Sequence, residues 1–484
     1  MTHHATPGAG TGAGAPLRDD RRVVLVVAIL ASFVVSLDSS VVTVALPAIR
    51  HELGGGLIVQ QWTVDAYLIT LGALILVAGS MSDLFGRVRI VRWGLVVFGI
   101  ASIACAAAPD GVFLVVARAF QGVGGALITP SSLALIVAAF RGVAQTRAIG
   151  TWTAWSSAAV IAGPVLGGVI VDSIGWRWIF VLTAVPIAVT IVLVRRISAD
   201  VRTGPHARVD VVGAALAVVG VGALVLGLIE QGRVGWSSPL VIAAIVVGAA
   251  SLVAFVPWER RAPAPLVPLA LFRVRNFAVG NVATLSIYGA LGMMGFAVTL
   301  FVQEVWAFPA WLAGFATLPP TLLLLALSTS VGTWSGRLGP RIFMSVGPVL
   351  GGLGALLMLV AGERPDYWWG ILPGMLLLGF GLTLMVTPLT STILGSVSEE
   401  QAGVGSAVNN AIARIASLVV VALAGVVLGG EMSVDGFHRA VITMAVLLVV
   451  GGVVSAIGIR NPERTAPERT APERTAPERQ GSDS

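Results

Sequence analysis

Two carboxylates and one arginine stand where an apolar chain rarely carries charge. Asp38 lies in Leu37-Asp38-Ser39-Ser40-Val41-Val42-Thr43-Val44-Ala45-Leu46-Pro47, and the run before it, Val23 to Val35, is almost wholly apolar. An ionised side chain at membrane depth costs about 2.5–3.5 kcal/mol on insertion scales, so such residues usually face a cavity and carry function. Asp65 lies in Trp62-Thr63-Val64-Asp65-Ala66-Tyr67, at the start of the next apolar run. Asp38 is about 15 residues into its run from one side, or about 22 Å at 1.5 Å per residue. Asp65 is about 5 residues into its run from the other side, or about 7 Å deep. In a hydrocarbon core about 30 Å thick, this arithmetic places both acids in the outer half, at similar depth. Two carboxylates so placed can share protons and attract a cation. Asp65 also reads as a helix N-terminal acid favoured by the dipole.

Arg118 lies within a later apolar run. Arg118, Gln121, Gly122 and Gly125 recur at helical spacing, on one face. A buried arginine needs an anionic or carbonyl partner. Arg414 is the second arginine inside an apolar run, beside Asn409 and Asn410. Those amides serve interhelical hydrogen bonding or cavity lining equally well. Trp62, Tyr67, Trp152 and Trp155 offer aromatic faces for planar or cationic cargo, with interfacial anchoring as the competing reading. Glu230 and Glu304 end apolar runs and read as solvated helix ends, unless one of them lines an exit path.

The elements that position these residues are membrane helices. The chain has 484 residues, 56% hydrophobic and 11% charged, against about 25% charged in a soluble protein. Fourteen spans are expected, at 23–46, 60–80, 90–108, 111–132, 148–171, 177–194, 209–229, 239–257, 277–303, 310–331, 342–361, 369–390, 403–428 and 438–459. Arg21 and Arg22 precede a first span that carries Asp38 and no small-residue cleavage site, so it is expected to be retained. All 30 basic residues are arginine. With the N-terminus inside, eighteen arginines fall on inner segments before the last span and five on outer loops, so both termini are expected in the cytoplasm.

The longer polar linkers, 195–208 and 259–276, bracket the seventh and eighth spans. The expected organisation is a disordered lead (1–22), a six-helix half (23–194), a linker with two extra spans (195–276), a second six-helix half (277–459) and a disordered tail (460–484) with Pro-Glu-Arg-Thr-Ala repeats. A weak echo links the halves. Gly79 and Gly86 in the first align with Gly332 and Gly339 in the second, and Gly336 stands where Asp83 does, so the second copy lacks the acid.

Four motifs in the first half resemble the major facilitator superfamily, and more narrowly its fourteen-helix drug:proton antiporters, which include quaternary-ammonium efflux pumps. They are Leu37-Asp38 through Pro47; Gly79, Asp83, Gly86, Arg87 and Arg89; Arg118 with Gln121, Gly122, Gly124 and Gly125; and Gly163-Pro164 with Gly167-Gly168. Ser40 and Thr43 depart mildly from the family's usual Thr and Asn. Trp62-x-Val-Asp-x-Tyr resembles the same pumps, as does Trp176 to Phe180 with Pro186. The resemblance covers about residues 20–460. It implies the two-halved all-α fold and a cytoplasmic gate at Gly79–Arg89. It further implies that Arg118 takes part in proton coupling, and export, since Gly163-Pro164-x-x-Gly167-Gly168 marks antiporters; burial and mutual proximity separately make Asp38 and Asp65 the expected proton carriers. Ala159, Gly163 and Gly167 separately form a small-residue stripe for close helix packing.

The implied function is proton-coupled efflux of hydrophobic, cationic drugs or antibiotics across a bacterial inner membrane. The protein would act as a monomer, with the proton gradient as energy source and no cofactor. Its expected partners are a small substrate, protons and the bilayer. A lipid, glycolipid or metabolite exporter of the same fold is the alternative, followed by a proton-coupled importer. An enzyme is not expected: paired histidines, a nucleophile elbow and a phosphate loop are missing from the sequence. The lone Cys105 forms no intrachain disulfide or cysteine metal cluster, and arginines scattered between spans do not suggest nucleic-acid binding.

Overall fold

The computed structural model describes residues 18–197, 210–263, 265–398 and 401–461. Most of the expected N-terminal lead, all but the first three residues of the first linker, and the repeat tail lie outside them. The described residues contain no strand. Among the described residues, fourteen helices are long and apolar enough to cross a membrane. They are spans one to six (Arg21–Leu53, Gly56–Phe85, Arg87–Ala106, Gly111–Ala139, Gly142–Ile174 and Arg177–Val194), seven and eight (Val211–Val234 and Pro239–Glu259), and nine to fourteen (Arg275–Val305, Ala310–Leu338, Pro340–Val360, Tyr367–Gly395, Gly403–Leu428 and Val434–Gly458). Helices are the open solution for such apolar runs because each backbone hydrogen bond closes within its own segment.

Several helices outrun the apolar stretches that announce them. Span one continues through Pro47 to Leu53 instead of stopping at 46, and span two begins at Gly56 instead of 60. Polar residues at a helix end do not stop it; a change of backbone conformation does. Here Gly54 and Gly55 adopt φ of 74° and 79° and turn the chain. Gly86 and Gly339, the matched glycines of the internal echo, make equivalent turns at φ 100° and 88°.

The two six-helix groups repeat one neighbour pattern. Span one packs on four, five and six, and span three on four and six; likewise span nine packs on thirteen and fourteen, and span eleven on twelve and fourteen. Spans seven and eight pair with each other, and seven then lies along spans two and thirteen. Val221, Val225 and Ile229 pack there with Ile69, Leu418 and Ala422. The inserted pair therefore covers the seam where the first group meets the second.

Candidate functional site

Arg118 is the hub of the first half. Its Nη1 donates to Asp38 Oδ2 at 2.6 Å and to Gln121 Oε1 at 2.7 Å, and its Nε donates to the Thr63 carbonyl at 2.9 Å. Gln121 Nε2 donates to Asp38 Oδ1 at 2.8 Å and to Ser102 Oγ at 2.9 Å. Asp38 and Arg118 are each only 1% exposed. The charges are thus removed from solvent, but the carboxylate accepts at both oxygens and the guanidinium lies 4.3 Å from the Tyr67 ring centroid. This is the saturated geometry that a buried ion pair requires.

Glycines on span four make the approach possible. A Cβ on Gly122 would meet Thr70 Oγ1 and the Tyr67 carbonyl, and one on Gly124 would lie 2.6 Å from the Phe98 amide nitrogen. The glycine face thus draws spans two and three onto four, and Arg118 is buried as a result.

Asp65 is fully buried too, and neither of its carboxylate oxygens has a hydrogen-bond partner. It does not share the Asp38 environment. On span two, Thr63 and Tyr67 turn toward Arg118. Gln61, one turn before Asp65, donates to the Val421 and Ala422 carbonyls of span thirteen at 2.8 and 2.9 Å. Ile69, one turn after it, packs on spans seven and thirteen. Asp65 therefore belongs to the seam face. The expected equal depth also fails. The short turn at Gly54–Gly55 sets the ends of spans one and two level. From those ends Asp38 is 53 − 38 = 15 residues deep and Asp65 is 65 − 56 = 9, a difference of roughly 9 Å along the helices.

A cavity of about 280 Å³ is lined by Val35, Ser36, Ser39 and Ser40 of span one, Val160 of span five and Arg414 of span thirteen. Ser39 Oγ donates to Tyr67 Oη at 3.2 Å. The wall is thereby linked to the ring that lies against Arg118.

Most expected lining residues serve other contacts. Tyr67 and Gln121 are buried in the Arg118 cluster. Trp62 Nε1 donates to Glu230 Oε1 of span seven at 3.3 Å. Trp152 Nε1 donates to Ser32 Oγ at 2.7 Å, joining spans five and one. Asn409 Nδ2 donates to Thr284 Oγ1 at 2.8 Å and Asn281 Oδ1 at 3.2 Å, joining spans thirteen and nine. Trp155 is 52% exposed and packs edge-on to Phe33. Each buried donor found an acceptor on the adjacent helix, which helical spacing alone does not reveal. Among the described residues, no group of three or more His, Cys, Asp or Glu side chains is placed to hold a metal.

At the end of the bundle distal to the termini, the two groups are joined. Arg50 Nη1 donates to Glu304 Oε2 at 2.7 Å and Gln60 Nε2 to Glu304 Oε1 at 2.8 Å. Glu304 is thus a cross-group partner carried on the π-helical turn Phe301–Val305, not a solvated helix end. Glu230 likewise pairs with Arg233 and accepts from Trp62. Asp172 caps the start of span ten by accepting from the Ala310 and Trp311 amides at 3.1 and 2.9 Å.

The Gly163–Gly168 motif sits at this junction. A Cβ on Gly163 would collide with Ser40 Oγ, one on Gly167 would lie 2.9 Å from Val41 Cγ1, and one on Gly168 would collide with the Ala310–Trp311 backbone. Gly314 of span ten meets the Pro164 carbonyl in the same way. At the opposite end, Arg87 donates to Asp83 at 3.4 Å and to the Ala134 carbonyl at 3.1 Å, Arg89 is exposed, and Gly79 has open space around it. Sequence reasoning missed Arg50, Gln60, Gln61 and Asp172. The polar pair Gln60–Gln61 at the mouth of an apolar run was the available signal for two of them.

A model of the Major Facilitator Superfamily matches residues 28–421. The multidrug resistance protein Stp of Mycobacterium tuberculosis is 34% identical over 406 residues, spanning 84% of this chain and 75% of that protein. The methylenomycin A resistance protein of Streptomyces coelicolor is 31% identical over 476 residues, 96% of this chain and 98% of that protein. Among solved structures, a bacterial homologue of the human lysosomal transporter Spinster, in an inward-facing and unoccupied conformation, superposes with a TM-score of 0.67. It is 14% identical and the match covers 91% of this chain and 97% of that one, a likeness of fold alone.

Proposed function

This chain belongs to the major facilitator superfamily, and we propose that it exports small hydrophobic drugs or antibiotics across the cytoplasmic membrane of a bacterium, in exchange for protons. It is a multi-pass membrane transporter whose relatives are named for drug and antibiotic resistance. In this reading it works as a monomer, with the proton gradient as its energy source and no resident cofactor. The distal end faces outward and both termini lie in the cytoplasm, as the arginine bias indicates.

The observation that carries the reading is the Asp38–Arg118–Gln121 cluster, reached from the cavity wall through Ser39 and Tyr67. A proton arriving on Asp38 turns the ion pair into a neutral acid beside a guanidinium. Arg118 then loses its charged partner and loosens from the Tyr67 ring, and the change reaches Ser39 at the cavity. Rocking of the halves breaks the Arg50–Glu304 and Asp172–span ten contacts and opens the cavity outward. The same movement parts spans two and thirteen at Gln61 and uncovers Asp65, which acts as the second proton carrier. Neither acid stands on the cavity wall, so this reading does not require a cationic cargo.

The test is dye transport into everted membrane vesicles under an imposed proton gradient, with ethidium, a neutral dye and an anionic dye in parallel. Wild type is expected to accumulate at least one dye only when the gradient is present. Asp38→Asn, at matched expression, is expected to lose that accumulation. Gradient-independent accumulation, or an Asp38→Asn variant as active as wild type, would sink the reading.

A further inference from the structure

The one strongly basic group on the cavity wall has no acid to hold it. Arg414 lines the cavity from span thirteen, facing Ser36, Ser39 and Ser40 of span one. Its Nε donates to Asn410 Oδ1 at 3.0 Å, one turn back on its own helix. None of the ion pairs among the described residues includes it. The acids closest in function are committed elsewhere. Asp38 is bound by Arg118 and Gln121, Glu304 by Arg50 and Gln60, and Asp65 is buried on the seam face. A permanently charged guanidinium inside a membrane protein is costly unless something neutralises it, and ionisable groups left so usually line a substrate path.

The rest of the wall complements the arginine. Ser36 offers a hydroxyl that makes no side-chain hydrogen bond of its own, beside Ser39 and Ser40, whose hydroxyls are already engaged. Beyond the lining residues, Phe33, one turn before Ser36 on span one, carries the exposed Trp155 edge-on at 6.3 Å. From Phe33 to Ser40 is seven residues, or about 10 Å along the helix. One end of this strip presents aromatic surface, and the other presents a guanidinium and a free hydroxyl.

We propose that Arg414 is a cargo-anchoring residue and that the cavity selects small organic anions, an acid group on Arg414 and Ser36 with an aromatic or apolar body toward Phe33 and Trp155. The proposal rests on the export reading above and narrows its cargo. It also reverses the charge that the two aspartates suggested from the sequence. Export of such an anion against inward protons moves net positive charge inward, so the membrane potential adds to the drive at any proton stoichiometry.

The experiment uses two dyes on one ring system: fluorescein, a xanthene carboxylate, and a cationic rhodamine ester. Binding to the purified full-length protein is read by fluorescence anisotropy, and gradient-driven uptake is read in everted vesicles. Wild type should bind fluorescein more tightly than the rhodamine ester. Arg414→Gln should weaken fluorescein binding roughly tenfold or more, the loss of one charge-assisted contact, and should not weaken the rhodamine ester. Arg414→Lys, which keeps the charge, should restore much of the loss. Absence of fluorescein binding to wild type, or equal binding to Arg414→Gln, overturns the anion site. If wild type moves the rhodamine ester with the gradient while ignoring fluorescein, the anion site fails and export stands. If the binding pattern holds but the gradient moves neither dye, the anion site stands and the export reading fails.

Discussion

Arg118 and Arg414 are the same residue type at membrane depth, one in each half, and the protein treats them in opposite ways. Arg118 is held by spans one and two and by its own span four, with a carboxylate, an amide, a backbone carbonyl and an aromatic ring on it. Arg414 is half-buried at a cavity, with one hydrogen bond to its own helix. The contrast lies in what the neighbouring helices bring. Span four carries glycines where spans two and three cross it, so backbone and acid close over Arg118. Beside Arg414, span two offers Gly72, whose Cβ position is 3.6 Å from Arg414 Cβ, and span one offers serines. One arginine is built into a helix junction. The other is left facing a space.

The largest test of that contrast is one substitution made twice. Arg118→Gln leaves Asp38 buried without its cation, a loss of about 3–5 kcal/mol. Unfolding of the purified protein in mixed micelles should show it as a clear drop in the denaturant midpoint. The double variant Asp38→Asn with Arg118→Gln removes both charges and should recover much of the midpoint, but not gradient-driven transport. Arg414→Gln should leave the midpoint near wild type, because no carboxylate loses a partner. Equal losses at the two arginines would erase the distinction.

Asp65 supplies the second test, because it is an acid without a hydrogen-bond partner as Arg414 is a base without an acid. Asp65→Asn keeps the shape and replaces an unpartnered carboxylate with a neutral amide. The folded protein should be as stable as wild type, or more stable by about 1 kcal/mol, while gradient-driven transport falls. A loss of several kcal/mol would mean that the carboxylate holds a cation, and Asp65 would then belong with Arg118.

The sequence made one side of this contrast easier to read than the other. Fourteen apolar runs announce fourteen helices because hydrocarbon-length burial leaves a compositional trace. Arg118 with Gln121 announces itself by helical spacing. Helix ends were harder, since span one runs on through Arg50, His51 and Glu52 to Gly54–Gly55, past the end of its continuous apolar run. The orientation of Asp65 was within reach: it is two residues from Tyr67, or about 200° around a helix, so the two cannot share a face. The distal contacts of Arg50, Gln60 and Asp172 were not legible. Each depends on which residue of another half arrives opposite, and no local pattern encodes that arrival. The inserted span seven on the seam was hidden for the same reason.

The finest test concerns what little does hold Arg414. Asn410 accepts from Arg414 Nε across one helical turn, and Asn410 itself is exposed. An exposed bond of this kind contributes about 0.5–1.5 kcal/mol at most, and its role here is to aim the guanidinium at the cavity. Asn410→Ala should leave the unfolding midpoint unchanged and weaken fluorescein binding by less than Arg414→Gln does, about threefold to tenfold if the whole bond energy appears as aim. Asn410→Asp should go the other way on charge. It would give Arg414 an internal anion, neutralise the wall, and lower fluorescein affinity while raising that of the rhodamine ester. If Asn410→Asp left both affinities untouched, the guanidinium would not be setting the cavity's charge, and the two arginines would differ in packing alone.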